Sequence, residues 1–548
     1  MGRKKKLWLL ASGCGCAVLG VAVLGGLALF GWAVSERRKP GPVVEVVTYC
    51  PGLSAASIEK LITTRVERWV NQANGAETIT SRSVAGVSVV RVAFRRDVAA
   101  DVALSEVNGL ALGGALPVLP AKVLPPVALL RGPRSSRPVG LLVLDGAAGD
   151  EAALTEAARK QVRNPLGGEE GASAPLVLGG QMGDGQDSTA RLRLDGRSVV
   201  GVPVYVAGDA RPGAVVEKIA ARRGSLAERL PPGMNLRWVP FGVEGRWGRA
   251  DDSLLLVFVR APSHSHLAAT EKRVADVVRL IEQNVPANER QAILCEVGLA
   301  PDLSAAYSAN AGPMDATLYV QLSAARTQPA AARAARLRRL FRETPSLNDL
   351  RFRFASQDMP RPVNVRVGLG TTRNGADALR VAQDVKKRLV TDVKGTADWE
   401  IVQRLDAPTW TVRADARKAA ALGLSCRQVI AQFAAALKMP APPDEELRTD
   451  VGSGDQSVTL PRRYGVTLDD PHDVEVAGAK EGPRVKLVSL ASLQSGTTAV
   501  EINHENLVPV LNVRANIEGR DRGDVIADVR KMLTELKVPA GMRVDLAD

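Results

Sequence analysis

Residues 7–34 form an uncharged run of 28 residues, bounded by Leu7 and Val34, with Arg3, Lys4, Lys5 and Lys6 before it and Glu36, Arg37, Arg38 and Lys39 after it. A helix of that length rises roughly 42 Å against a hydrocarbon core of ~30 Å, so it spans a bilayer with some tilt. Trp8 and Trp32 lie near its two ends, where an interfacial belt is expected. The sequence therefore predicts a membrane anchor contacting lipid over residues 7–34, with residues 1–6 as a cytoplasmic tail. A competing reading is a lipoprotein-type signal cleaved before Cys14. No later stretch is long and apolar enough to span again, which places residues 41–548 on one side of the membrane.

With 548 residues the chain has room for about three to five domains. Its formal net charge of +13 raises the question of nucleic acid. The basic residues are, however, interleaved with 59 acidic ones, and aromatic residues make up only 4%. That leaves neither a basic stripe nor a stacking platform, so nucleic acid is not expected as a partner. Outside the apolar run, Cys50, Cys295 and Cys426 are far apart, without disulfide or metal-ligand spacing.

The stretch 43–94 gives the best-defined local pattern. VVEVVTY reads as a strand, Pro51-Gly52 as a turn, and Ser54 as the cap of a helix carrying Ile58, Leu61, Ile62, Val66, Trp69 and Val70 on one face. Two β-rich runs, 77–84 and 87–94, follow around Gly86. A second helical run over 99–115 and a return strand at 123–127 complete a split βαβ unit of the ferredoxin-like class. These residues resemble the first porter subdomain of the resistance-nodulation-division (RND) efflux permeases, of the acriflavin-resistance and heavy-metal-efflux type. The matching positions are Pro51, Gly52, Glu67, Ser81, Ser83, Gly86, Phe94 and Pro126; Arg65 departs from the usual proline, at what reads as an exposed helix position.

An internal repeat is visible without the resemblance. VPVYVAGDARPGAVVEKI with LPPGMNLRWV (202–239) parallels VPVLNVRANIEGRDRGDVIADV with VPAGMRVDL (508–546), and Pro203 and Gly233 answer Pro509 and Gly541. The predicted architecture is α+β: one N-terminal transmembrane helix, then ferredoxin-like porter subdomains in two pseudo-repeated halves. The porter-like units are expected at 41–130, 138–243, 253–358, and 361–410 with 500–548, with a docking-like insertion at 411–499. The resemblance places a docking insertion in the first half too, but here a short Gly-rich link over 167–187 stands in its place. Asp415, Arg417, Gly423 and Ser425 follow the family's passage into the docking subdomain, with Gly423 ending one helix and Ser425 capping the next. EINHENLVPVLNVRA, with Asn506, continues that pattern.

Candidate chemistry is sparse. His264 and His266 can share one side of an extended segment, as metal ligands or as a solvated loop. Met314 and Met359 fit either soft-metal handling or core filling. Asp415 and Arg417 can pair, but as alternate residues near a strand end they read as a surface feature, and Glu45, Glu67 and Arg68 read as exposed positions. There is no phosphate loop, nucleophile elbow or paired-carboxylate signature, so no catalytic, cofactor or metal residues are assigned and the chain is not expected to be an enzyme.

The resemblance implies export of hydrophobic or amphiphilic compounds from a bacterial inner-membrane location, single-pass, with the N-terminus cytoplasmic and the bulk periplasmic. It also implies a homo-trimer and a periplasmic adaptor. Because the run 7–34 holds no ionisable side chain for a proton relay, a separate multi-span RND-type partner chain is expected. The alternative is a non-transporting, membrane-tethered interaction or scaffold module derived from the same fold.

Overall fold

A computed structural model describes residues 41–547 apart from 122, 132–137, 147–150, 171, 180–189, 208–209, 242–252, 370–374, 438, 440, 463–473 and 479–483. The anchor residues Leu7, Trp8, Trp32 and Val34 lie outside the described residues. Among the described residues, no helix is long and apolar enough to cross a membrane.

The chain mixes helices with antiparallel sheets. Strand β1 (Val43–Tyr49) leads through helix α1 (residues 55–70) to β2 (Ala76–Val84) and β3 (Val87–Phe94), then through α2 (residues 100–115) to β4 (Val127–Arg131). The sheet order of this group is β2-β3-β1-β4. Ser54 caps α1 by accepting from the Ser57 amide, and a π turn over Glu59–Thr63 lies within the helix. Ile58, Ile62, Val66 and Val70 are fully buried against the sheet, with Leu61 and Trp69 packed at the margin. Burial of four such side chains supplies about 6–12 kcal/mol of gross stabilisation before chain entropy is counted.

The next group holds β5 (Gly140–Gly146), α3 (residues 151–166), β6 (Ala172–Ser173), β7 (Ala190–Leu194), β8 (Arg197–Val206), α4 (Pro212–Ala227) and β9 (Met234–Pro240). It is followed by β10 (Leu254–Arg260), α5 (Leu267–Asn284), β11 (Arg290–Gly298), β12 (Asp315–Leu322), α6 (Ala330–Glu343) and β13 (Arg351–Ala355). The last group comprises β14 (Val363–Gly368), α7 (Gly375–Thr391), β15 (Thr396–Ile401), β22 (Glu501–Glu505), β23 (Val508–Ile517), α10 (Arg522–Thr534) and β24 (Arg543–Ala547). Between β15 and β22 the chain builds β16 (Ala407–Ala414), α8 (Ala416–Ala421), α9 (Cys426–Ala436), β17 (Arg448–Thr449), β18 (Gln456–Pro461), β19 (Glu475–Ala477), β20 (Arg484–Lys486) and β21 (Ala491–Thr498). There β17-β18-β16-β21 form a sheet with its own core around Val412, Ile430 and Phe433.

Hydrogen bonding joins the groups in crossed pairs, which the sequence did not indicate. The first and last share one nine-stranded sheet, β24-β14-β23-β22-β2-β3-β1-β4 with β15 on β23. The second and third share another, β13-β10-β12-β11-β7-β8-β5-β9 with β6 on β8. Each join is made by one hairpin strand: β22 pairs β2, and β7 pairs β11. The two repeat segments follow the same path, since β8 and β9 flank β5 just as β23 and β24 flank β14. Part of the Gly-rich link is pinned to the second sheet, because Leu178 bridges Gly201 and β6 pairs β8.

Arginines tie the two sheets together. Arg260 on β10 and Arg353 on β13 reach Glu400 on β15 at 3.5 and 2.9 Å, Arg404 reaches Asp315, and Arg338 grips Asp398 at 2.6 Å. Burial lowers the Arg353 guanidinium to about 10, and the Glu400 carboxyl is held below its usual range because its arginine partners outweigh its own burial.

Candidate functional site

A cleft of about 420 Å³ lies where three of the groups converge. One wall is the turn after β1, with Tyr49 and Pro51, continued by Leu124 and Val127; a second is the α3 face carrying Thr155, Arg159 and Arg163. The loop over residues 299–314 after β11 supplies the third. The Thr155, Arg159 and Arg163 spacing of four residues stacks these side chains along one helix face, across a π turn at Ala158–Arg163.

Several sequence-singled residues build this wall. Pro51 and Gly52 form the turn, Gly52 with φ +93°. It is held by hydrogen bonds from the Cys50 amide to the Gly86 carbonyl and from the Gly86 amide to the Leu53 carbonyl, both 2.9 Å. Gly86 has φ +79°, and a Cβ there would lie 3.0 Å from the Cβ of Pro301 in the 299–314 loop. That loop is clamped from the other sheet. Arg82 donates to the carbonyls of Ala305, Ser308 and Asn310 at 3.1, 2.9 and 2.6 Å and to Glu501 at 3.2 Å. Arg131 donates to the Ala306 carbonyl and stands 4.0 Å over the Tyr307 ring.

Behind the loop lies a small cavity of about 10 Å³, room for one water, bordered by Tyr205, Tyr307, Tyr319 and Glu296. With Tyr49 in the cleft, four of the chain's five tyrosines gather here. Burial pushes the Glu296 carboxyl up to about 7, a rise that hydrogen bonds from Ser308 and Tyr319 reduce. Burial also raises Asp302. No signal in the sequence singled out Glu296, Asp302, Tyr307 or Arg163. The i, i+4, i+8 spacing of Thr155, Arg159 and Arg163 was available, but it reads equally as a solvated helix face.

Three expectations are corrected. Glu45 is fully buried, not exposed, because β1 is an inner strand whose second face is covered by the 299–314 loop; it pairs with Arg91 and, at 2.7 Å, with Arg131. Glu67 is likewise buried, against His504 of β22 at 2.9 Å, while Arg68 beside it is exposed. Arg65, the third, is half-buried rather than exposed, because its guanidinium folds back to donate to the Val118 carbonyl. Asp415 is part-exposed and caps α8 by accepting from the Arg417 and Lys418 amides at 2.9 and 3.0 Å, with Arg417 exposed beside it.

The remaining positions are structural in their surroundings. Ser83 lies 2.7 Å from Thr63, Ser81 is buried, and Phe94 is in the first core. Gly423 has φ +69°, and Ser425 closes a capping box with Gln428. His266 does not face outward as a ligand pair with His264; its Nδ1 caps α5 by accepting from the Ala269 amide at 3.2 Å. Met314 is buried, and Met359 packs on the third core. Among the described residues no group of three or more His, Cys, Asp or Glu is placed to hold a metal ion.

The family model described as the AcrB/AcrD/AcrF family matches residues 15–184 and 248–548. The chain belongs to this family, that of the RND efflux permeases. Its fold agrees with two solved crystal forms of a heavy metal efflux pump. Form II aligns at TM-score 0.70 with 14% identity, covering 96% of this chain and 82% of that one. Form I aligns at 0.69 with 14% identity, covering 96% and 83%. The family consists of membrane-associated efflux transporters rather than enzymes. In this family member the residues between the two matched spans include β7 and β8, the hairpin that welds the second sheet together.

Proposed function

We propose that this chain is the substrate-handling porter section of an RND-type export assembly, passing hydrophobic or amphiphilic compounds through the cleft between α3, the β1 turn and the 299–314 loop. The observation that carries this reading is the construction of that cleft. One wall is a loop of the second sheet held in place by Arg82 and Arg131 from the first, so relative movement of the two sheets would change the cleft's shape. A pocket of some hundreds of Å³ with apolar walls and a few charged groups suits a small amphiphile. Buried Met314 and core-packed Met359 favour an organic cargo over a soft metal ion.

In this reading the units at 41–130, 138–243, 253–358, and 361–410 with 500–548 are ferredoxin-like porter subdomains, and 411–499 is a docking-like subdomain. The assembly sits in a bacterial inner membrane through residues 7–34, with its bulk in the periplasm, and works as a trimer with an adaptor and a multi-span partner carrying the proton relay. The test is purification of the full chain in mild detergent with identification of co-purifying chains, alongside a deletion strain. A multi-span partner with intramembrane acidic and basic residues, and increased dye accumulation in the deletion, are expected. A chain that purifies alone and whose loss leaves sensitivity to dyes, detergents and metals unchanged would replace this reading with the scaffold one.

A further inference from the structure

We propose that the cleft selects amphiphiles with an anionic headgroup, received by Arg163, while the apolar tail lies along Leu124 and Val127. This rests on the export reading and deepens it by naming the class of compound. The apolar half of the site is unusual for a surface: Leu124 and Val127 are 53% and 39% exposed, among the few large apolar side chains left in water, and both line this cleft.

The charged half is asymmetric. Three guanidinium groups border the cleft, and they cannot be discharged at any relevant pH. Arg191 is engaged by Glu271 at 2.7 Å and Arg159 by Glu156 at 3.4 Å. Arg163 is half-buried and has no ion-pair or hydrogen-bond partner among the described residues. An ionised group partly withdrawn from water without a counter-charge is costly, and an incoming carboxylate, sulfate or phosphate relieves that cost through a charge-assisted hydrogen bond. The two acidic residues on the opposite wall oppose this weakly. Asp302 is turned to the Ser304 amide, from which it accepts at 2.8 Å, and Glu296 is 5% exposed. Burial drives both toward their neutral forms. The cleft thus places one guanidinium without a counter-charge, Arg163, beside exposed carbon, the complement of an acidic amphiphile and a poor match for a cationic one.

The experiment measures fluorescence binding of dansyl-undecanoate, its primary amide and a trimethylammonium analogue of equal length to the full chain held in amphipol. The carboxylate is expected to bind about tenfold or more tighter than the other two. Arg163→Gln should remove that preference while leaving amide affinity unchanged, and Arg163→Lys should keep most of it. Equal affinities, a preference for the cation, or an Arg163→Gln effect shared equally by carboxylate and amide overturns the proposal. Should Arg163→Gln fail to fold, the wild-type ranking and its salt dependence still decide, because a headgroup contact must weaken as ionic strength rises. Leu124→Gln should weaken all three probes; a changed oligomeric state with unchanged binding would assign the apolar patch to a second copy and overturn the tail site. Charge-selective binding with unaltered cellular accumulation on deletion would sink the export reading and leave this site standing. Altered accumulation without charge selectivity would do the reverse.

Discussion

Asn506 and Ile79 bond to each other like opposed residues of a β ladder. The Asn506 amide donates to the Ile79 carbonyl at 2.7 Å, and the Ile79 amide donates to the Asn506 side-chain oxygen at 3.0 Å. Asp195 and Ile293 repeat the arrangement in the second sheet, at 3.0 Å in both directions. Each Asx residue opens a two-residue turn with positive φ, Asn506-Leu507 at 48° and 68° and Asp195-Gly196 at 48° and 81°. The turn side chain thus takes the place of a backbone carbonyl where the neighbouring strand's register shifts, between Ala76 and Thr78 in one case and Arg290 and Ala292 in the other.

Two substitutions follow from that geometry. Leu507 is half-buried and adopts a backbone conformation that L side chains resist, whereas its counterpart is Gly196. Leu507→Gly should therefore stabilise the chain by about 1 kcal/mol. Asn506→Ala leaves the Ile79 amide without an acceptor and should cost about 1–3 kcal/mol, while Asn506→Asp, copying Asp195, should cost less. Denaturation midpoints give the order; a destabilising Leu507→Gly would contradict the strain argument.

His504 locks β22 to α1. Its Nδ1 is 2.9 Å from Glu67 and its Nε2 is 3.2 Å from Glu59. Burial alone would lower its pKa, but the two carboxylates outweigh it and raise the imidazole to about 9. A histidine raised in the fold contributes stability that is complete below its unfolded value near 6.5 and lost as pH rises through about 9. Denaturation of wild type should therefore lose about 2–3 kcal/mol between pH 6 and pH 10 that His504→Gln does not lose. Parallel curves for the two proteins would exclude the imidazolium lock.

Much of this was legible locally. The α1 face, the Ser54 and Ser425 caps and the 202–239/508–546 parallel depend on spacing within one segment, and spacing is what a sequence displays. What was missed depends on partners far along the chain. Glu45 and Glu67 looked solvated because nothing near them in sequence reveals Arg131 or His504. The crossed sheets were invisible for the same reason: the two hairpin strands that join them, β7 and β22, find their partners about 100 and 420 residues away. The cleft inherits that difficulty, since its three walls come from three separate stretches.

Glu296 should make stability fall with rising pH. Its carboxyl is raised to about 7, chiefly by burial and further by Asp302, with Ser308, Tyr319 and Arg82 opposing. A carboxyl raised in the fold contributes stability present below its unfolded value near 4.5 and lost as pH rises through about 7. Glu296→Gln should then be about 1–3 kcal/mol more stable than wild type at pH 8 and gain little at pH 4.5. An equal difference at both pH values would show that the carboxyl titrates normally.

Arg82 serves the cleft loop and Glu501 together. The Glu501 carboxyl is 4% exposed, and burial would raise it, but Arg82 and Arg260 hold it below the usual carboxylate range. Arg82→Met would strand that charge and release three loop carbonyls, so a loss of about 3–5 kcal/mol is expected. Most of the loss traces to the abandoned carboxylate, and Arg82→Met with Glu501→Met should recover a large part of it, with a coupling of about 1–3 kcal/mol in a double-mutant cycle. The loop would still lack its donor in the double variant. Amide exchange over residues 303–310 should therefore remain faster than in wild type while exchange in the first core returns to normal. Restored protection in the loop would mean that Arg131 alone holds it, and that the two sheets are coupled through the cleft by one arginine rather than two.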